Sequence, residues 1–369
     1  MKKAAFYTLG CKVNQYETEA MAELFADSGY EIKEFTEVAD VYVINTCSVT
    51  NMGDRKSRQI IRRAKKLNPN AVIAVTGCYA QTAPDEVLAI EGVNLVLGTK
   101  DRKNIVTLVE ELNTESNINH VSDIMSNHEF EELQIKQYSN RTRAFIKIQE
   151  GCNQFCSYCI IPYARGPVRS RAKDDVVREI KELAHNGFKE IILVGIHVAS
   201  YGVDLGDTTL ESLIMDVDKI DGVERIRLSS IEPMTLNQEF IDSIKDSKKL
   251  CHHFHISLQS GCDETLKRMN RHYTVEYYLD QIEDIVSRFD KPFLGSDIIA
   301  GFVGETDEDF QTTVENLNKS KLSQIHTFPY SIRKGTIAEK MEGHLPDKIK
   351  EERAGIIKKI SAEKINTFL

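Results

Sequence analysis

The sequence predicts an α/β protein: an N-terminal parallel sheet of the Rossmann or flavodoxin kind, followed by a partial (β/α)6 barrel. Three observations carry this. Short apolar, β-branched runs alternate with amphipathic stretches along most of the chain, as in βαβ units on parallel strands. The alternation stops over one polar stretch and then restarts. The second series holds six βα units, short of the eight that close a barrel. The 369 residues suffice for two such bodies, and 41% apolar with 28% charged residues describes globular material.

Taken in order, residues 1–113 form the first unit, with strands expected at 4–9, 40–46, 71–77 and 94–99. Helices are expected between and after them at 15–29, 53–67, 84–90 and 101–112. Residues 114–140 are polar with few sustained apolar runs and read as a connector. The second unit, 141–369, has strands expected at 144–149, 190–196, 225–231, 253–259, 293–302 and 323–331. Helices are expected at 174–185, 210–220, 236–245, 275–289 and 308–317, and 347–369 reads as one charged amphipathic helix.

Composition removes several function classes. The N-terminus has only a short apolar run, and no stretch of about 18 apolar residues exists to span a bilayer. A cytoplasmic protein without a membrane partner is expected. The net charge of −9 speaks against a chain that binds polyanions over its whole surface, while leaving room for a local basic face. Eight cysteines in a reducing compartment are not read as disulfides.

Three of those cysteines, Cys152, Cys156 and Cys159, lie in G-C-N-Q-F-C-S-Y-C, directly after the first barrel strand. Three thiolates hold three irons of a [4Fe-4S] cube and leave the fourth iron to a non-protein ligand. The common zinc frameworks use other spacings. Three more, Cys11, Cys47 and Cys78, each follow a predicted strand: A-A-F-Y-T-L-G-C, V-Y-V-I-N-T-C and A-V-I-A-V-T-G-C. Parallel strands end at one sheet edge, so these three converge despite their separation and suggest a second three-cysteine cluster. Gly10 and Gly77 would let backbone approach a bulky cofactor closely.

The loop at 152–159 resembles the radical S-adenosylmethionine (SAM) superfamily. The motifs T-L-G-C-K-V-N-Q-Y-E-T-E, I-N-T-C-S-V-T, T-G-C-Y-A-Q, H-I-S-L-Q-S-G and F-V-G-E-T extend the resemblance to the radical SAM methylthiotransferases over essentially the whole chain. The resemblance implies two [4Fe-4S] clusters and SAM as cofactors. Cys152, Cys156 and Cys159 would serve SAM cleavage to a 5′-deoxyadenosyl radical, and Cys11, Cys47 and Cys78 would serve methylthio delivery, with the methyl from a second SAM. K-V-N-Q at 12–15, D-R-K-S-R-Q at 54–59 and G-P-V-R-S-R at 166–171 look like the bacterial branch acting on N6-threonylcarbamoyladenosine in tRNA, at C2 of the adenine next to the anticodon, position 37. Other branches, on isopentenyl-adenosine or a ribosomal-protein aspartate, stay open, as does a non-catalytic iron–sulfur protein that binds RNA or passes electrons. The family ends in a small RNA-binding TRAM module, and the chain ends at Leu369 before one fits, so none is expected here.

The same resemblance implies Gly195, Ser230, Glu232 and Gln259 as SAM-binding positions at barrel strand ends. Arg55, Arg58 and Arg62, on a basic amphipathic helix after the Cys47 loop, and Arg165, Arg169 and Arg171 beside the 152–159 loop are candidate tRNA contacts. It also implies an electron donor of flavodoxin or ferredoxin type and a sulfur source as partners. Cys251 and His252–His255 invite a zinc reading, but His253 and His255 alternate with Phe254 and Ile256, so they are expected to face into the barrel together. Cys262 is assigned no role.

Overall fold

A computed structural model describes residues 1–112, 115–135 and 142–369. The domain limits expected at 113/114 and 140/141 lie outside the described residues.

The first sheet contains β1 (Lys3–Thr8), β2 (Glu31–Lys33), β3 (Val41–Thr46), β4 (Val72–Gly77), β5 (Leu95–Val96) and β6 (Ile118–Asn119). Their order is β2-β1-β3-β4-β5-β6, and every pairing is parallel. All six residues of β3 are buried, as a central strand covered on both faces requires. The helices of this unit are α1 (Lys12–Asp27), α2 (Asn51–Leu67), α3 (Cys78–Thr82), α4 (Pro84–Leu88) and α5 (Ile105–Glu110). The single helix expected at 84–90 is thus preceded by a second short one that begins on Cys78 itself. Neither β2 nor β6 was expected: β2 is a charged edge strand, and β6 is two residues long.

The second unit begins with β7 (Arg143–Glu150), followed by the helix α6 (Ile161–Arg165) and β8 (Arg169–Ser170). Its remaining strands are β9 (Glu190–Gly195), β10 (Arg225–Leu228), β11 (His253–His255), β12 (Phe293–Ala300) and β13 (Gln324–Pro329). β7, β9 and β10 pair in parallel, as do β11, β12 and β13, and parallel bridges Ile226–Leu250 and Ile231–Ile256 join the two groups. Among the described residues no ladder returns β13 to β7, so the six parallel strands form an open, partial barrel. β8 pairs antiparallel with the end of β7, a hairpin that the period-2 pattern of so short a strand cannot announce. The outer helices are α7 (Lys173–His185), α8 (Leu210–Asp218), α9 (Gln238–Ile244), α10 (Asp263–Arg268), α11 (Val275–Arg288), α12 (Asp307–Lys319) and α13 (Asp347–Phe368). Arg353 fastens α13 by bonds to Glu305 (2.6 Å) and Asp307 (2.7 Å).

The units share a helix. Met21 and Phe25 of α1 pack in the first sheet's core, while Val13, Tyr16 and Ala20 belong to the barrel core. The polar stretch read as a connector is also packed down, with Leu133 and Ile135 inside the barrel core. Among the described residues no helix is long and apolar enough to cross a membrane.

Candidate active site between two cysteine triplets

The β1, β3 and β4 ladders align Thr8 with Asn45 and Thr46 with Gly77, so the turns after these strands leave one sheet edge together. Cys11, Cys47 and Cys78 stand on those turns. Asn14, in the first turn of α1, ties them by donating to the carbonyls of Leu9 (2.7 Å) and Thr46 (3.0 Å). Gly10 has φ +102°, and a Cβ there would lie 3.1 Å from the Cys47 sulfur. At Gly77, φ +95°, a Cβ would lie 2.4 Å from Asn45 Oδ1 and 2.5 Å from the Thr46 carbonyl. A side chain at either glycine would meet neighbouring protein, the Cys47 side chain at Gly10 and the Asn45 and Thr46 atoms at Gly77.

The loop after β7 carries the second triplet. The Cys152 amide bonds the Gly166 carbonyl (3.0 Å) and the Cys159 amide the Cys156 carbonyl (2.9 Å), closing a compact turn. Ser157 anchors that turn across the barrel to the Arg268 carbonyl (2.7 Å). Backbone amides of Gln154 and Ile161 donate to the Cys152 and Cys159 sulfurs, and Arg271 Nη1 donates to Cys156 Sγ at 3.3 Å. Arg271 is itself paired with Glu232 and lies over the Tyr273 ring. In the first triplet the Val49 amide donates to Cys47, and Arg165 Nε donates to Cys78 Sγ at 3.2 Å.

Burial dominates the thiol ionisation. It pushes Cys78 up to about 12 against the opposing field of Arg165, Cys159 to about 12 and Cys152 to about 11. Thiols of this kind stay neutral until a bound cation takes up the charge, and metal ligation deprotonates them. Two sets of three thiols, with N–H groups aimed at Cys47, Cys78, Cys152, Cys156 and Cys159, suit clusters each held by three cysteines.

The two triplets are joined through buried charge. Glu17 of α1 accepts from Arg165 (2.5 Å) and Lys147 (3.0 Å) and is ion-paired with Arg102 (2.6 Å). Glu150, at the end of β7, also accepts from Arg165 (2.5 Å) and pairs with Lys147, while Glu131 takes Arg102 at 2.7 Å. Burial opposes ionisation of both central acids, but the surrounding cations outweigh it, holding Glu17 well below the usual carboxylate range and Glu150 at about 2. Three carboxylates face three cations, so the cluster is neutral although almost no water reaches it. A second clamp runs from the barrel to the Cys47 loop: Arg333 bonds Asn51 (2.6 Å), Ser48 (3.0 Å) and Asp54 (2.6 Å).

A cavity of about 260 Å³ lies between the loops, walled by Val49 and Thr50 beside Cys47, by Cys159, and by Gln259 and Asp297 of the barrel. The sequence-expected SAM positions divide. Gln259 lines this cavity with a backbone φ of +70°, and Glu232 lies close enough to Cys152 to act on its thiol. Gly195 is pressed by Gln149, whose Oε1 would sit 2.8 Å from an added Cβ. Ser230 opens onto a separate cavity of about 370 Å³, shared with His253, His255 and His326. His253 and His255 do face the lumen together. Arg271, missed in the sequence, carries no local signal: it sits in R-M-N-R and meets Cys156 only through the tertiary fold.

Arg165, Arg169 and Arg171 are not tRNA contacts. All three are fully buried: Arg165 in the charge cluster, Arg169 on the carbonyls of Arg165 (2.9 Å) and Asn127 (3.1 Å), and Arg171 on Glu179 and Glu132. Arg55 and Arg62 are exposed on α2, whose Ile61 and Ala64 are buried, and Arg58 is half-buried with a bond to the Tyr79 hydroxyl (3.0 Å).

Residues 3–98 match the uncharacterized protein family UPF0004, and residues 146–317 match the radical SAM superfamily. The threonylcarbamoyladenosine tRNA methylthiotransferase MtaB of Bacillus subtilis is 48% identical over 355 residues, covering 96% of this chain and 79% of that protein. The chain belongs to the radical SAM methylthiotransferase family. It is thus a transferase whose family chemistry uses SAM and [4Fe-4S] clusters. Another relative, the tRNA-2-methylthio-N(6)-dimethylallyladenosine synthase of Thermoanaerobacter pseudethanolicus, is 38% identical over 355 residues, covering 94% of this chain and 75% of that protein. Among solved structures, the radical SAM methyltransferase TsrM of Kitasatospora setae shares the fold, with TM-score 0.63 and 15% identity over 89% of this chain and 75% of that one.

Membership makes the charge cluster testable as a fastening of the methylthiotransferase interface. Replacing Glu17 with alanine leaves buried cations short of a counter-charge, an effect of about 3–5 kcal/mol. Urea unfolding of the metal-free protein should show that loss; a loss under about 1 kcal/mol, the value of a surface pair, contradicts it.

Proposed function

We propose that the chain is a tRNA-modifying methylthiotransferase acting on N6-threonylcarbamoyladenosine next to the anticodon, at position 37, and placing the methylthio group on C2 of the base. The observation that carries this reading is one cavity walled both by Cys159 of the barrel triplet and by Val49 and Thr50, beside Cys47 of the sheet-edge triplet. Similarity to a relative named for that substrate, over nearly the whole chain, supports the branch. In this reading residues 1–113 carry the auxiliary cluster on Cys11, Cys47 and Cys78, residues 114–140 connect, and residues 141–369 form the radical barrel with its C-terminal helix. Cys152, Cys156 and Cys159 hold the other cluster.

When bound, SAM and the two clusters supply a 5′-deoxyadenosyl radical and the sulfur to be transferred. The chain's own residues then have separate tasks. Arg271 and the Gln154 and Ile161 amides donate to the barrel triplet's sulfurs, which fixes their orientation and stabilises their charge. Arg165 does the same at Cys78 while gripping Glu17 and Glu150, so one side chain sets the distance between the triplets. Glu232 and Gln259, with Gly195 at a neighbouring strand end, receive SAM. The walls of Val49, Tyr158, Ile299 and Phe328 exclude water from a reactive intermediate. A flavodoxin- or ferredoxin-type donor supplies electrons and a separate source supplies sulfur, in the cytoplasm. Arg55, Arg58 and Arg62 meet the RNA backbone.

Anaerobic reconstitution should load roughly eight irons per chain, four for each [4Fe-4S] cluster. A variant with Cys11, Cys47 and Cys78 all changed to alanine should keep half the iron and still release 5′-deoxyadenosine with dithionite. The matching variant of Cys152, Cys156 and Cys159 should keep half and release none, and Glu232→Ala should raise KM for SAM at unchanged iron. Full iron in either triple variant contradicts the ligand assignment. For the substrate, mass spectrometry of tRNA nucleosides from a deletion strain should show loss of the methylthio form of threonylcarbamoyladenosine, restored by the gene; loss of a different nucleoside sinks the branch. For the RNA face, Arg58→Glu with Arg62→Glu should weaken tRNA binding and flatten its salt dependence by about one to two units of slope. An unchanged slope removes α2 from the interface.

A further inference from the structure

The 370 Å³ cavity in the barrel lumen is large enough for a small organic group and is lined by Lys12, Ser229, Ser230, His253, His255 and His326. It is not isolated from the reaction site. Asp297 walls both this cavity and the one beside Cys159 and Thr50, and Lys12 directly follows Cys11. A base held between the triplets therefore has a polar chamber next to it.

The chamber is charged on one side and incomplete. Among the described residues the Lys12 ammonium makes neither ion pair nor hydrogen bond, and Arg143 and Arg227 add positive field around it. The acid that shares the cavity, Asp297, is already taken by His255 at 2.9 Å. Two further polar atoms on its walls, Ser229 Oγ and His253 Nδ1, have no hydrogen-bond partner among the described residues. The exposed Lys12 ammonium stands at the cavity's rim beside two buried, unfilled polar atoms, an arrangement that suits an anion also carrying hydrogen-bonding oxygens.

We propose that this cavity receives the carboxylate and hydroxyl of the threonylcarbamoyl side chain, with Lys12 as the specificity-determining cation. The proposal rests on the substrate reading given above. It explains how one scaffold separates two chemically distinct adenosines that its relatives' names record. A threonylcarbamoyl group brings a carboxylate to Lys12, whereas a dimethylallyl group would leave the ammonium and both unfilled polar atoms without a partner. A site built to bond a polar group rejects an analogue lacking it far more strongly than an apolar pocket rejects an extra methylene.

The test uses the full chain with both clusters loaded and measures binding by fluorescence anisotropy. The probes are synthetic anticodon stem-loops bearing threonylcarbamoyladenosine, its carboxylate methyl ester, or dimethylallyladenosine. Wild type should prefer the acid over the ester by roughly ten- to a hundred-fold, the range of a charge-assisted bond. Lys12→Met should erase that preference while leaving ester affinity, iron content and SAM cleavage unmoved, and Lys12→Arg should restore part of it. If the preference survives in Lys12→Met, the cavity assignment is overturned. Should Lys12→Met lose iron next to Cys11, His326→Glu puts a negative charge in the same chamber from β13, and unaltered acid affinity there overturns the assignment equally. A wild type that binds the threonylcarbamoyl probe no better than the dimethylallyl one overturns the substrate reading itself, a result distinct from a failure of Lys12 alone.

Discussion

Glu17 comes from the first turns of α1, in the N-terminal sheet unit, yet its carboxylate is surrounded by Arg102, Lys147 and Arg165 with no exposure to solvent. Two of those cations belong to the barrel unit. Taking such groups out of water costs several kcal/mol each, and only close packing of opposite charge offsets it. The contact is therefore all-or-none: a partial opening strands charge. That property suits an interface holding two reactive centres at fixed separation. Arg165 makes the linkage literal, because the guanidinium that bonds Glu17 also bonds the Cys78 sulfur and lies six residues after Cys159.

From this fastening the rest of the site follows. Val13, Tyr16 and Ala20 are drawn into the barrel core, which brings the Cys11 turn over the lumen. The Cys47 loop is then close enough to the barrel for Arg333 to clamp it, and the cavity beside Cys159 is closed by Val49 and Thr50. The C-terminal ends of the barrel strands thus face the unit that carries the second triplet.

Much of this was legible in sequence, for physical reasons that also explain what was not. β3 and β4 are buried on both faces, so their β-branched runs stand out, and the cysteines that follow them and the partly buried β1 mark a shared edge. Of the barrel strands, β7 and β9 announced themselves in the same way, while β10, β11 and β13 are only partly buried and were read from their place in the alternation. β2, β6 and β8 did not, being short, charged or dependent on a partner for their existence. The charge cluster was the larger omission. On a single sequence Glu17, Arg102, Lys147 and Glu150 look like ordinary surface residues, since only the fold turns them inward. Arg165, Arg169 and Arg171 show the same ambiguity in reverse. Three arginines in seven residues resemble a phosphate-binding strip, and burial against Glu17, Glu179 and main-chain carbonyls makes them structural instead.

The central claim is that the buried charge cluster holds the two cysteine triplets face to face across one cavity. Electron paramagnetic resonance of the reconstituted protein, with both clusters reduced, tests it most directly. Two paramagnets fixed on either side of a single cavity should show mutual dipolar broadening and faster relaxation, and the spectrum should differ from the sum of the two triple-alanine variants. A spectrum equal to that sum, with each cluster relaxing as if alone, would contradict the account.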